Sequence, residues 1–198
     1  MIVNGDSLIR GKLGRIYVIQ REEETVRLLI TGIPGAGKTQ FGEYLVSAHG
    51  FVHRDLEDTI EFADFVDNPL VYLLKLSAEG QKSVITWGFV PVLRQIESVR
   101  SIRKHGFSIV WFDGDSAAAL RAFQRCGTTP EANFYLQMYR IETSKAFELI
   151  CPIRINSFDE HSEFKQPAAI FDEIQRALAE SSVRVSRHHR HSPAKGWP

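Results

Sequence analysis

Apolar residues fall in short blocks, and the blocks alternate between two kinds. Val26–Thr31 is dominated by apolar residues without polar alternation, the pattern of a strand covered on both faces. Lys38–His49 has helical spacing and stops near Gly50. Phe51–Asp55 is a second, shorter strand. Asn68 before Pro69 is a cap-plus-proline start and predicts a helix over Pro69–Ser77. Ser83–Trp87 reads as strand three, followed by a long helix from about Pro91 to His105 that Gly106 terminates. Ser108–Phe112 is strand four, and Ser116–Arg125 is a helix broken by Gly127. Thr129-Pro130-Glu131 opens another helix reaching about Phe147. Leu149–Ile155 is strand five, and Pro167–Ser181 the last helix. Upstream, Asn4-Gly5 and Gly11 punctuate Leu8-Ile9 and Ile16–Ile19, which predicts a short hairpin.

Strands alternating with helices predict an α/β fold with a mostly parallel sheet and helices on both faces. The boundaries follow: an N-terminal extension over 1–24, closed by Glu22-Glu23-Glu24, a main domain over 25–181, and a basic, histidine-rich tail over 182–198. Such sheets place ligands beyond the carboxyl ends of the strands. Candidate chemistry is therefore sought after Thr31, Asp55, Trp87, Phe112 and Ile155.

Composition narrows the class. A chain of 198 residues with 43% hydrophobic and 24% charged residues builds its own core. The 24 basic and 24 acidic residues cancel, which gives no support for a nucleic-acid binder. All acidic residues precede Ser181, so the body carries 20 − 24 = −4 and the tail, with Arg184, Arg187, Arg190 and Lys195, carries +4. Two cysteines, Cys126 and Cys151, cannot form a disulfide framework; they read as core or near-core residues in a reducing compartment. No apolar run approaches the ~20 residues of a membrane helix, and the N-terminus lacks signal-peptide order. The expectation is a cytoplasmic protein without a membrane partner.

The first strand end reads Gly32-Ile33-Pro34-Gly35-Ala36-Gly37-Lys38-Thr39, the phosphate-loop (Walker A) pattern. A polyphosphate needs many donors close together. Glycines let the backbone curl so that successive N–H groups point inward, and the next helix adds its positive end. Gly32, Pro34, Gly35, Ala36, Gly37, Lys38, Thr39 and Gln40 are the candidate nucleotide-binding residues. Lys38 can bridge the outer phosphates and Thr39 can ligate magnesium. A chance match arises in roughly 1% of chains this long, and the flanking strand and helix supply the required context.

Other strand ends refine the chemistry. Asp55 ends strand two, with Glu57 and Asp58 close behind. It is the candidate catalytic carboxylate, placed to accept a hydroxyl proton or to hold magnesium through water; Asp58-Thr59 also suits a helix start. Arg121 and Arg125, four apart on one helix, share a face and can stack on a base or neutralise a transferring phosphoryl group. Arg125 is favoured because it lies beside the break at Gly127. Trp87 and Phe89 can line an acceptor pocket or fill the core, and Arg94 can hold an anionic acceptor or sit on the surface.

The loop, the Asp55 turn, the Trp87-Gly88-Phe89 strand end and the Arg121/Arg125 helix occur in an order that resembles the P-loop small-molecule kinases. These include the adenylate, shikimate and gluconate kinases and the zeta toxins; the bacterial "predicted kinase" group is nearest. The resemblance covers about Val26 to Ser181. It implies a three-layer α/β/α P-loop NTPase fold with sheet order 2-3-1-4-5 and a short arginine-bearing lid. It also implies ATP with Mg2+ and phosphoryl transfer to a small hydroxyl or phosphate acceptor. Two departures stand out: nucleotide kinases carry Asp-Gly where this chain has Trp87-Gly88, and the nearest group often has an acidic residue where this chain has Thr86. A magnesium-organising carboxylate must then come from Asp55, Asp58, Asp113 or Asp115.

Three functions fit. The first is an ATP-dependent small-molecule kinase with Lys38, Asp55 and Arg125 at its centre. The second is a nucleotide-binding module without transferase activity, and the third a zeta-toxin-like nucleotide-sugar kinase. The acceptor and the oligomeric state do not follow from the sequence.

Overall fold

The computed structural model describes residues 8–10, 16–18, 25–80, 82–89, 92–127 and 129–189; for the first two segments, for residues 146–147 and for 182–189 it describes the backbone alone. β1 (Leu8–Arg10) pairs antiparallel with β2 (Ile16–Val18), Leu8 opposite Val18, as the turn signals predict. Five parallel strands follow: β3 (Val26–Gly32), β4 (Val52–Asp55), β5 (Lys82–Thr86), β6 (Ser108–Asp113) and β7 (Ile153–Asn156). Their spatial order is β4-β5-β3-β6-β7, which is 2-3-1-4-5 counted within this sheet. The first and central strand is β3, so the phosphate-loop pattern sits at the middle of the sheet edge.

The helices are α1 (Lys38–His49), α2 (Thr59–Asp67), α3 (Pro69–Glu79), α4 (Leu93–Lys104), α5 (Ser116–Cys126), α6 (Glu131–Thr143), α7 (Ala146–Ile150) and α8 (Pro167–His189). Leu28, Leu29 and Ile30 of β3 are wholly buried, as a doubly covered strand requires. Each such side chain contributes about 1.5–3 kcal/mol by leaving water. α1 and α8 meet through His49 and Phe171, whose ring centroids lie 4.3 Å apart. A chain of rings, Phe65–Trp87–Phe89–Trp111, crosses the core at centroid distances of 5.8–6.0 Å. Trp87 and Phe89 are 4% and 2% exposed, so they fill the core.

Several boundaries differ from the sequence reading, each for a local reason. The helix start that Asp58-Thr59 suits becomes the separate element α2, with Asp58 capping it by accepting from the N–H groups of Ile60 and Glu61. The helix expected to run from Glu131 to Phe147 stops at Thr143. Thr143 donates its hydroxyl back to Tyr139 O and Ser144 to Ile141 O, and Ser144 turns extended. Leu149 and Ile150 close α7 rather than opening strand five. Cys151 then takes a left-handed φ of 39° and Pro152 offers no N–H, so the strand begins at Ile153. Both cysteines are exposed, against expectation. Cys126 lies at the end of α5 beyond its buried stripe of Ala118, Ala119 and Ala122, and Cys151 occupies the surface turn. α8 continues past Ser181 to His189; residues 190–198 of the expected tail lie outside the described residues.

Candidate phosphate-binding site

β3 runs straight into the loop and α1 runs straight out of it. Gly35 and Gly37 both have left-handed φ, 75° and 78°. At Gly35 a Cβ would lie 2.0 Å from the carbonyl oxygen of Ala119, so only glycine lets the loop pass beneath α5. Gly37 is the N-cap of α1 and offers no side-chain acceptor; the first turn holds no acidic residue. The leading N–H groups of the helix are left for a ligand, at its positive end. Phe164 lies over Gly37, 3.1 Å from where a Cβ would stand.

Lys38 is only 7% exposed. Its ammonium donates to Ile33 O at 3.2 Å and lies 3.9 Å from Glu57 Oε1. Burial lowers its pKa, while Glu57 and Asp55 oppose that shift. Thr39 Oγ1 donates to Asp55 Oδ2 at 2.9 Å, and the other Asp55 oxygen accepts the N–H of Glu57 at 2.9 Å. The turn after β4 thus brings Asp55 against the first turn of α1. In the sequence Glu57 stands out only as a neighbour of Asp55. Its carboxylate lies over Gly88, 2.3 Å from a Cβ position there, and half its side chain is open to solvent. The sequence signal for it is the pairing of a carboxylate two residues past a strand end with a glycine at the next strand end, legible only once β4 and β5 are neighbours.

The four carboxylates weighed for magnesium separate cleanly. Asp58 is spent on capping α2. Asp115 caps α5, accepting from Ala118 N at 2.6 Å. Asp113 is ion-paired with Arg154. Asp55 alone among them touches Thr39. At the third strand end, Thr86 is 1% exposed and its Oγ1 shares a 2.8 Å hydrogen bond with His53 Nε2. Desolvation lowers the pKa of His53 and favours the neutral ring.

Arg121 and Arg125 are exposed on α5 and line a cavity of about 410 Å³ with Gln124, Phe158, Ser162 and Phe164. The segment Phe158–Phe164, which carries no motif, closes its far wall with two rings stacked 4.7 Å apart. Phe164, which lines this cavity, also packs beside Gly37, so the cavity lies next to the phosphate loop. Gln40 is exposed on the first turn of α1, while Pro34 and Ala36 are buried in the loop. Arg94 is exposed on the first turn of α4.

No family model matches the chain, and no curated protein matches it in sequence. Solved structures do match in shape. A gluconokinase from Sinorhizobium meliloti aligns with a TM-score of 0.53 at 13% identity, covering 83% of this chain and 98% of that one. A shikimate kinase from Acinetobacter baumannii, in complex with shikimate, aligns at 0.52 and 15% identity over 79% and 96%. A tunicamycin resistance protein from Deinococcus radiodurans aligns at 0.51 and 13% identity over 77% and 95%. At these identities the likeness is one of fold, and it agrees with the strand order, the central β3 and the loop at its end. The chain has the three-layer α/β/α fold of the P-loop small-molecule kinases.

Proposed function

We propose that the protein is a kinase that transfers the γ-phosphoryl group of Mg-ATP to a hydroxyl or phosphate group of a small molecule. The observation that carries this is the hydrogen bond between Thr39 and Asp55, with Glu57 beside Lys38. Two carboxylates of different surroundings thus stand at one phosphate loop, one suited to a metal and one to an incoming hydroxyl.

The residues suit a hard cation. Thr39 Oγ1 and the Asp55 carboxylate are oxygen donors 2.9 Å apart, matching magnesium's preference for oxygen and for keeping part of its water shell. Thr39 would ligate the ion and Asp55 would hold it through water. Bound magnesium would neutralise charge on the β- and γ-phosphate oxygens. The N–H groups at the start of α1, which no side chain caps, hold the phosphates, and Lys38 leaves Ile33 O to bridge the outer two. Arg121 and Arg125 border the nucleotide groove, and Arg125 neutralises charge on the transferring group.

Asp55 has both oxygens engaged, whereas the Glu57 carboxylate is open to solvent. Glu57 is therefore the better acceptor for the proton of an incoming hydroxyl, and Asp55 serves the metal corner. The hydroxyl oxygen forms its bond to the γ-phosphorus, the bond to the β–γ bridging oxygen breaks, ADP leaves, and the proton passes to Glu57.

Thermal unfolding with and without Mg-ATP, followed by ADP release on a pooled metabolite panel, tests the reading. Saturation at about 100 times the dissociation constant adds ~2.7 kcal/mol. Lys38→Met abolishes the shift; an unchanged shift in that variant refutes the phosphate-loop assignment. Stabilisation without ADP release across the panel leaves a nucleotide-binding module and removes the kinase.

A further inference from the structure

His53, Asp55 and Thr86 lie on one face of the sheet. His53 and Asp55 are two apart on β4 and so point the same way. Asp55 stands directly opposite Thr86 in the β4–β5 register, and side chains paired across strands share a face. That face lies beneath α1: a Cβ on Gly42 would come 2.5 Å from His53 Nε2, and Thr39 of the same helix donates to Asp55. Thr86 is thus a buried hydroxyl on the face that carries the Thr39–Asp55 pair, hydrogen-bonded to His53.

A hydrated cation presents outward-pointing hydrogens, so the oxygens around it must accept. A hydroxyl accepts reliably only when its own hydrogen is committed elsewhere. A neutral imidazole has one acceptor nitrogen. If that nitrogen is Nε2 of His53, the Thr86 O–H is committed to it and the lone pairs of Thr86 remain free to accept, on the face that also carries Asp55. We propose that Thr86, oriented by His53, is a positioning residue that accepts a hydrogen bond from the water shell of the nucleotide-bound magnesium, as a second acceptor beside Asp55. This rests on the kinase-type Mg-ATP reading above. The pair does the work of a carboxylate without burying a second negative charge next to Asp55, which would be costly.

The test is a Mg2+ titration of thermal stability at fixed saturating ATP, run alongside ATP affinity without metal and the melting temperature without nucleotide. Thr86→Val raises the half-saturating Mg2+ concentration about tenfold, the worth of one charge-assisted hydrogen bond. It leaves metal-free ATP affinity unchanged. Thr86→Ser, which keeps the hydroxyl, restores the wild-type midpoint. His53→Ala reproduces the Thr86→Val shift, and the double variant shows no further loss. Nitrogen-15 shifts of His53 report an unprotonated Nε2. A Thr86→Val midpoint equal to wild type, additive losses in the double variant, or a proton on Nε2 overturns the proposal. If the wild-type chain itself shows no Mg2+-dependent stabilisation by ATP, the functional reading fails and the proposal with it.

Discussion

Glu57 and Asp55 are both carboxylates on one turn, yet their surroundings separate them. Asp55 is held on both oxygens, while Glu57 rests over Gly88 with its charge open to solvent. Glu57→Gln therefore lowers kcat at least a hundredfold while nucleotide affinity stays within about twofold, in line with general-base contributions. Asp55→Asn instead weakens Mg-ATP binding; steady-state kinetics with calorimetry separates the two. Lys38 yields a pH prediction. Burial lowers its pKa below 10.5, so between the lowered value and 10.5 the folded chain binds fewer protons than the unfolded one. Stability without nucleotide rises with pH across that window, and nucleotide affinity falls there because the ammonium is lost. Lys38→Met removes both slopes, as denaturant melts and titrations at stepped pH will read.

At the scale of elements, the site is made by close approaches. α5 crosses the phosphate loop at Gly35, and its buried face there is built of Ala118, Ala119 and Ala122, which keep the helix near. Gly35→Ala meets backbone on Ala119 and a left-handed φ, and it costs roughly 2–4 kcal/mol of stability. At Gly88→Ala the three nearest atoms to the new Cβ belong to the Glu57 side chain, whose end can swing into solvent. That variant melts close to the wild-type temperature but loses turnover. Equal melting temperatures for the two variants would contradict this account of the loop. The break at Ser144 shortens α6 and the turn at Cys151 shortens the last strand, both through local hydrogen bonding and backbone conformation and neither at a residue of the site.

For the whole molecule, the central position of β3 puts the loop between the β4–β5 side, which carries the carboxylates, and the α5 side, which carries the arginines. Arg121 and Arg125 are exposed and line the cavity from one wall only. Replacing both with alanine weakens ATP binding about tenfold or more, with a change in melting temperature of no more than about 2 °C, because no core contact is lost. Among the described residues no helix is long and apolar enough to cross a membrane.

The amino-acid order alone determined the strand–helix alternation, the phosphate-loop pattern with Lys38 and Thr39, and the position of Asp55 at a strand end. These depend on local spacing, on glycine's backbone freedom and on apolar periodicity, which are properties of neighbours in the chain. Only the tertiary structure decided which carboxylate stands against Thr39 and which are spent as caps. It also brought the Phe158–Phe164 segment opposite the arginines, set Glu57 beside Lys38 and Thr86 beside His53, and left Cys126 and Cys151 in solvent. The caps and the Cys151 turn form within a few residues, whereas the other placements depend on strand order and register, which join residues tens of positions apart through packing, and packing between distant segments leaves no periodic trace in the chain.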